Sequence, residues 1–304
     1  MKHDGFTRAE LVVVIIIVGL LVTLLLPGMA RMRESKRRAA CVNNLKQIRL
    51  AFKMYWADYG GRLPPMKVRD CKGETLVWST IFEPSALYPD YLTDWDLLVC
   101  PSGANGRTAV ELWDGGNTPS PHWRPWSGTG DGIVQPCEVV EYPYVYIGWA
   151  ISRQPPDPAV DPTISWTEEA VQKLRRAADA HGTALAQNPD LVDNDWVLEE
   201  RIGEATVFYR LARHLERSFL AGTVYGRPQS PRAIMWDATT LEDGEPQFAH
   251  AARGFKSGSH VLYLDGHVEF RHYRGPYGDP FPVNAAGFLF DDLWRGHETI
   301  EAGR

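Results

Sequence analysis

The chain of 304 residues is short of the signatures that usually announce catalysis: it contains no nucleophile elbow, no phosphate-binding P-loop and no dinucleotide fingerprint. It also lacks an excess of positive charge. Its 32 Lys and Arg against 38 Asp and Glu leave a net charge of −6, which argues against a nucleic-acid partner, because phosphate contacts need a basic surface. Cysteine is scarce. The four, Cys41, Cys71, Cys100 and Cys137, form no CxxC pair, which argues against a zinc ribbon built on close ligand pairs. In an oxidising compartment four cysteines allow three full pairings. A bridge between two of Cys71, Cys100 and Cys137 is one expectation, with Cys41 left as a thiol on a helix; which two pair stays open.

Charged residues are missing from one stretch altogether. Residues 11–26, LVVVIIIVGLLVTLLL, have only Gly19 and Thr23 as non-aliphatic members. Continued through Pro27 to Ala30, the run is about long enough to span a bilayer. Beyond it, residues 31–53 carry Arg31, Arg33, Lys36, Arg37, Arg38, Lys46, Arg49 and Lys53 against the single acid Glu34. Such asymmetry beside an apolar run marks a membrane surface. A secretory signal cut after Gly28-Met29-Ala30 competes with an anchor, but Asp4 and Glu10 sit where that signal needs a basic segment.

Gly5-Phe6-Thr7-Arg8-Ala9-Glu10 followed by the apolar run closely resembles the cleavage and methylation motif of type IV prepilins and type II secretion pseudopilins. The resemblance implies that a prepilin peptidase cuts between Gly5 and Phe6 and methylates Phe6, leaving residues 1–5 as a leader. Glu10 then matches the acid with which that family pairs the amine of a neighbouring subunit during assembly, and a carboxylate at the edge of an apolar span is costly unless paired. Pro27 falls where pilins carry a helix-kinking proline. The partners implied are the peptidase, other pilin-like subunits, an inner-membrane assembly platform and the lipid bilayer. The location implied is a single pass through the bacterial inner membrane, with the head in the periplasm or outside the cell. Arg8 departs from a position that is apolar in the family. The basic cluster after the span favours a cytoplasmic C-terminal side by the positive-inside rule, opposite to the pilin orientation; the motif, specific at several positions together, outweighs it.

Cys41, Leu45, Ile48, Phe52, Tyr55, Trp56 and Tyr59 recur at helical steps, and Gly60-Gly61 with Pro64-Pro65 supplies a stop. A helix from about Thr7 to about Tyr59 is predicted, on the order of 80 Å long at 1.5 Å per residue. The organisation expected is a leader (1–5), an anchor helix (6–30), its amphipathic extension (31–65) and a head (66–304). Short apolar runs at Thr75–Ile81, Val139–Ile147, Arg232–Asp237 and Val261–Tyr273 read as strands. A helical insertion at about 165–221 opens on the capping box Ser165-x-x-Glu168, breaks at Asn188-Pro189-Asp190 and resumes from about Asn194 to Leu220. The fold class expected is α+β, a long transmembrane and amphipathic helix packed on an antiparallel-sheet pilin-like head. The phrase Cys41-Val42-Asn43-Asn44-Leu45-Lys46-Gln47-Ile48, with Cys100-Pro101-Ser102 and Tyr142-Pro143-Tyr144, is similar to large bacterial pilin-like proteins with a processing-associated C-terminal domain.

Asp265-Gly266 between two β-type runs predicts a hairpin with a two-residue primed turn. That segment also resembles the domain's motif of a His followed by Asp-Gly nine residues on. Here fourteen residues separate His250 from Asp265 and four separate His260 from it, so no role is carried over to either. Turn aspartate, surface histidine and alternating strand residues account for His250, His260, Asp265, His267 and His272 without chemistry; the lesser reading is a transition-metal site, for which a hairpin could bring His260 near His267. Asp237, Glu242, Asp243 and Glu245 form an acidic loop; Asp237, Asp243 and Glu245 are weak calcium candidates, and no other cofactor is expected. The expectation is a non-enzymatic fibre subunit, a secretion pseudopilin ahead of a motility or adhesion pilin. Its rivals are a tethered glycan-binding head, signalled by exposed Trp113, Trp123 and Trp126, and an extracytoplasmic hydrolase with converging His and Asp.

Overall fold

A computed structural model describes residues 8–76, 79–104, 106–114, 129–140, 143–148, 150–154, 187–193, 196–202, 205–212, 233–242, 245–250, 257–276 and a few scattered positions, with backbone alone at 24–28, 30, 31, 189, 193, 240–242, 245 and along the strands between 150 and 212. Helix α1 runs Arg8–Asp58, 51 residues, and continues through Pro27 as one helix. Counting only described residues, no helix is long and apolar enough to cross a membrane.

The two halves of α1 have different surroundings. Leu11 to Val22 are 46–60% exposed, so this half packs against nothing among the described residues. Cys41, Leu45, Ile48, Phe52 and Tyr55 are buried at alternating steps of four and three, the spacing that puts side chains on one helix face. Phe52 meets Phe82 edge-on at 5.4 Å and Tyr146 at 5.2 Å. The phenol of Tyr146 donates to the carbonyl of Pro64 at 2.7 Å, so this aromatic knot also fixes the chain as it leaves the helix. Tyr59, at the end of the stripe, lies on the surface and stacks on Tyr55 at 4.1 Å.

Four antiparallel strands face that stripe in the order β1 (Tyr144–Tyr146), β5 (Ala233–Asp237), β8 (Gly258–Tyr263), β9 (Val268–His272). Strands β5 and β8 are buried throughout, as central strands covered on both faces must be. A second sheet has the order β2 (Ala150–Gln154), β4 (Ala205–Ala212), β3 (Trp196–Ile202), and β6 (Thr239–Glu242) pairs β7 (Glu245–Phe248). Among the described residues the chain is thus mixed helix and antiparallel sheet. A short helix α2 (Ala109–Trp113) opens on the capping box Thr108 and Glu111. Cys71 and Cys137 form a disulfide, while Cys41 and Cys100 are buried thiols.

Two local expectations are corrected. In the insertion at 165–221, Glu168, Val171, Gln172, Arg175 and Arg176 are helical, but the second half is the hairpin β3–β4, with Trp196 paired to Leu211 and Ile202 to Ala205. The run Ala205–Ala212, ATVFYRLA, is rich in β-branched and aromatic residues, and its backbone pairs with a strand on each side. The Asp265-Gly266 turn is longer than two residues. Tyr263 N–H bonds the carbonyl of His267 and Leu262 pairs Val268, leaving Leu264, Asp265 and Gly266 in the loop. Gly266 has φ +82°, the left-handed residue that three-residue hairpins need.

Candidate functional site

The processing segment is placed only in part. Gly5 and Phe6 lie outside the described residues, and Glu10 stands in the first turn of α1, exposed. Pro27 is described by its backbone within α1.

The other concentration of chemistry is in the core, where α1 meets the ends of β5 and β8. Helical spacing aligns Glu34, Arg38, Cys41 and Leu45 along one face, so the acid and the thiol enter the head together. Cys100 follows the 3-10 turn Trp95–Leu98, Asp237 ends β5, His250 follows β7, and His260 lies within β8. Cys41, Cys100, Asp237 and His250 are all 0% exposed, and one donor atom from each lies within 4.8 Å of the others.

Hydrogen bonds orient the set. His250 Nε2 is 3.1 Å from Asp237 Oδ2 and 3.7 Å from Cys100 Sγ, while His250 Nδ1 is 3.1 Å from Glu34 Oε1. Arg38 holds that glutamate through Nε at 3.0 Å, donates from Nη2 to the His250 carbonyl at 2.9 Å, and lies over the Phe270 ring at 4.3 Å. His260 presents both its backbone N–H and its Nδ1 to Asp237 Oδ2 at 2.8 Å. A carboxylate only accepts, so Nδ1 of His260 carries a proton.

Burial by itself would lower the pKa of His250; the hydrogen bonds to Asp237 and Cys100 and the negative charge of Asp237 outweigh it and push it up to about 10. Burial would raise Asp237, but its hydrogen bonds from His250 and His260 and their positive charge hold it well below the ordinary carboxylate range. Burial pushes the Cys100 thiol well above its usual value, helped by the neighbouring Cys41, and the Tyr144 phenol rises for the same first reason.

Cys100, His250 and Glu34 thus make a thiol–imidazole–carboxylate row of the kind found in cysteine hydrolases. Two observations count against that chemistry. Cys100 is sealed from solvent, and its thiol is shifted up, whereas a nucleophilic cysteine is exposed and shifted down.

Several predicted residues fall elsewhere than expected. His250 and His260 are core residues at 0% and 3% exposure, and their rings meet edge-on at 4.5 Å. His260 pairs with Phe270 across the hairpin, so it is not beside His267. His267 bonds Asp265 through Nδ1 and stacks on Tyr263 at 4.3 Å, and His272 is exposed at the end of β9. Of the weak calcium candidates, Asp237 lies in the core with its Oδ2 engaged by two histidines beside two thiols, surroundings unlike the six to eight oxygens that calcium takes. Glu245 opens β7 and is described by backbone only; Asp243 lies outside the described residues. Trp113 is buried in the core at 5% exposure, which removes it from any aromatic binding surface, and Trp123 and Trp126 lie outside the described residues. Glu34 and Cys41 carry no sequence signal of a site, because helical spacing shows that they share a face and nothing about what that face meets, and Cys100 comes from a separate segment.

A family model, SBP_bac_10, described as a protein of unknown function (DUF1559), matches residues 30–88. That interval contains Glu34, Arg38 and Cys41 and the buried half of α1. No curated protein and no solved structure matches the chain.

Proposed function

We propose that the protein is a pilin-like structural subunit, processed between Gly5 and Phe6 and assembled through its N-terminal helix into a secretion pseudopilus or pilus-like fibre. The observation that carries this reading is the division of α1. Residues 34–55 are seated in the head, while Leu11–Val22 extend from it 46–60% exposed. An aliphatic helix of that kind needs either lipid or other helices around it. A bilayer serves before assembly and neighbouring subunits serve after it. The prepilin-type motif at Gly5 to Glu10 supplies the route from one state to the other. The family matched at residues 30–88 is commonly associated with prepilin-type proteins, which agrees with this reading.

The test is mass spectrometry of the N-terminus after co-expression of the full chain with a prepilin peptidase. A mature chain beginning at N-methylated Phe6 is the expected result. A chain beginning at Arg31, or one left uncut by an active peptidase, overturns the proposal.

A further inference from the structure

We propose that Cys41, Cys100, Asp237 and His250 are the four ligands of a structural metal site of the zinc class, which fastens α1 to the head. The donors come from four separate segments and converge in a closed space, one atom of each within 4.8 Å of the rest. Bonds of 2.0–2.3 Å to a tetrahedral zinc ion place neighbouring donors roughly 3.3–3.8 Å apart. The measured 3.7 Å from His250 Nε2 to Cys100 Sγ already falls in that range.

Three further observations point to a cation. His250 turns Nε2 inward and sets Nδ1 against Glu34, the arrangement in which a ligating histidine donates its other N–H to a carboxylate. Glu34 is itself held by Arg38, so the orienting group is fixed in turn. Asp237 Oδ2 is occupied by His260 and His250, whereas Oδ1 is buried with no hydrogen-bond partner among the described residues. An ionised carboxylate oxygen left so is costly; as a metal ligand it is satisfied.

The donor chemistry selects the metal. Two sulfurs exclude calcium and magnesium, which take oxygen, and two sulfurs, a nitrogen and an oxygen in tetrahedral array suit zinc. With every position filled by a buried protein atom, the site has no open coordination position, so its role is structural. On binding, the divalent ion displaces the two thiol protons and the proton on His250 Nε2, and all three pass to solvent. The cysteines not in the site, Cys71 and Cys137, are joined to each other. A metal would keep Cys41 and Cys100 reduced where that pair is oxidised.

The test uses the untagged full chain in detergent, purified without chelator. One zinc ion per chain by elemental analysis is expected. Exchange for Co²⁺ should give the thiolate-to-cobalt charge-transfer absorption and the intense visible bands of a tetrahedral site. Glu34→Ala, which removes the group orienting His250 and leaves all four ligands in place, should weaken metal affinity about 10–100-fold. Should that variant or Cys100→Ser fail to fold, the unsubstituted chain decides alone: Cys41 and Cys100 should resist alkylation until a chelator is added. Failure to retain zinc or cobalt, a cobalt form without the thiolate absorption, or a Cys41–Cys100 disulfide in non-reducing peptide mapping of the native protein overturns the proposal.

Discussion

Glu34 and His250 stand 216 residues apart in the chain and 3.1 Å apart in space, both buried. Glu34 lies on α1 and His250 in the turn after β7, so their contact joins the helix to the sheet directly. Arg38 reinforces the junction by holding the Glu34 carboxylate and the His250 carbonyl at once. Removing one partner of a buried ion pair leaves the other charged and unsolvated, at a cost of about 3–5 kcal/mol. Glu34→Ala should therefore destabilise the head by roughly that amount. Glu34→Gln keeps an acceptor for the Nδ1 proton and should lose less. Urea titration of the full chain in detergent, followed by tryptophan fluorescence, checks both; equal stability of Glu34→Ala and the parent would refute the role given to this contact.

How much of this was readable beforehand depends on the range of the interaction. The stripe Cys41, Leu45, Ile48, Phe52, Tyr55 is a local period, and any helix with that spacing must bury one face. The Asp265-Gly266 hairpin is likewise local, although a three-residue loop with left-handed Gly266 replaces the two-residue turn. The hairpin at 196–212 is not legible locally, because the consecutive charges Glu199-Glu200-Arg201 in WVLEERI suit a helix as well as a strand, and only pairing with β4 distinguishes the two. The Cys41, Cys100, Asp237 and His250 cluster left no mark in the sequence. Its members are spread from residue 41 to residue 250, so spacing carries no information and only the sheet brings them together.

Cys71 and Cys137 close a loop with a sequence separation of 66. By the loop-entropy relation a bridge of that span contributes about 4 kcal/mol, and native disulfides typically contribute about 2–5 kcal/mol. Cys71→Ser, Cys137→Ser and the double variant should lose the same stability, because each removes one bond. The same denaturation titration under non-reducing conditions measures it. A single variant much less stable than the double would instead indicate that the leftover thiol mispairs.

Gly266 works against α1 as well as within its turn. A Cβ built there would lie 1.9 Å from Arg49 Nε, and the residue has φ +82°. Gly266→Ala must therefore move the Arg49 side chain and accept a left-handed conformation that costs an L-residue about 1–2 kcal/mol. Stability should fall by at least that amount. Pairing the change with Arg49→Ala should recover only the part due to the clash, leaving the backbone cost. A double-mutant cycle read by denaturation separates the two, and full recovery would show that the turn conformation carries no strain.

Glu10 decides between a helix that merely anchors and one that assembles. It stands in the first turn of α1, exposed, directly before the aliphatic run. Ionised carboxylates entering an apolar environment cost a few kcal/mol unless paired. In the proposed fibre the pairing group is the amine of Phe6 freed by cleavage on a neighbouring subunit. Glu10→Ala should leave cleavage at Gly5 untouched, since the cut precedes assembly. It should abolish fibre formation, seen as loss of sheared high-molecular-mass material and of subunit crosslinks through the helix. A simple anchor predicts the reverse: an apolar residue at position 10 would hold the bilayer at least as well, and nothing else would change. Normal crosslinking by the alanine variant would remove the assembly role and leave α1 as a tether.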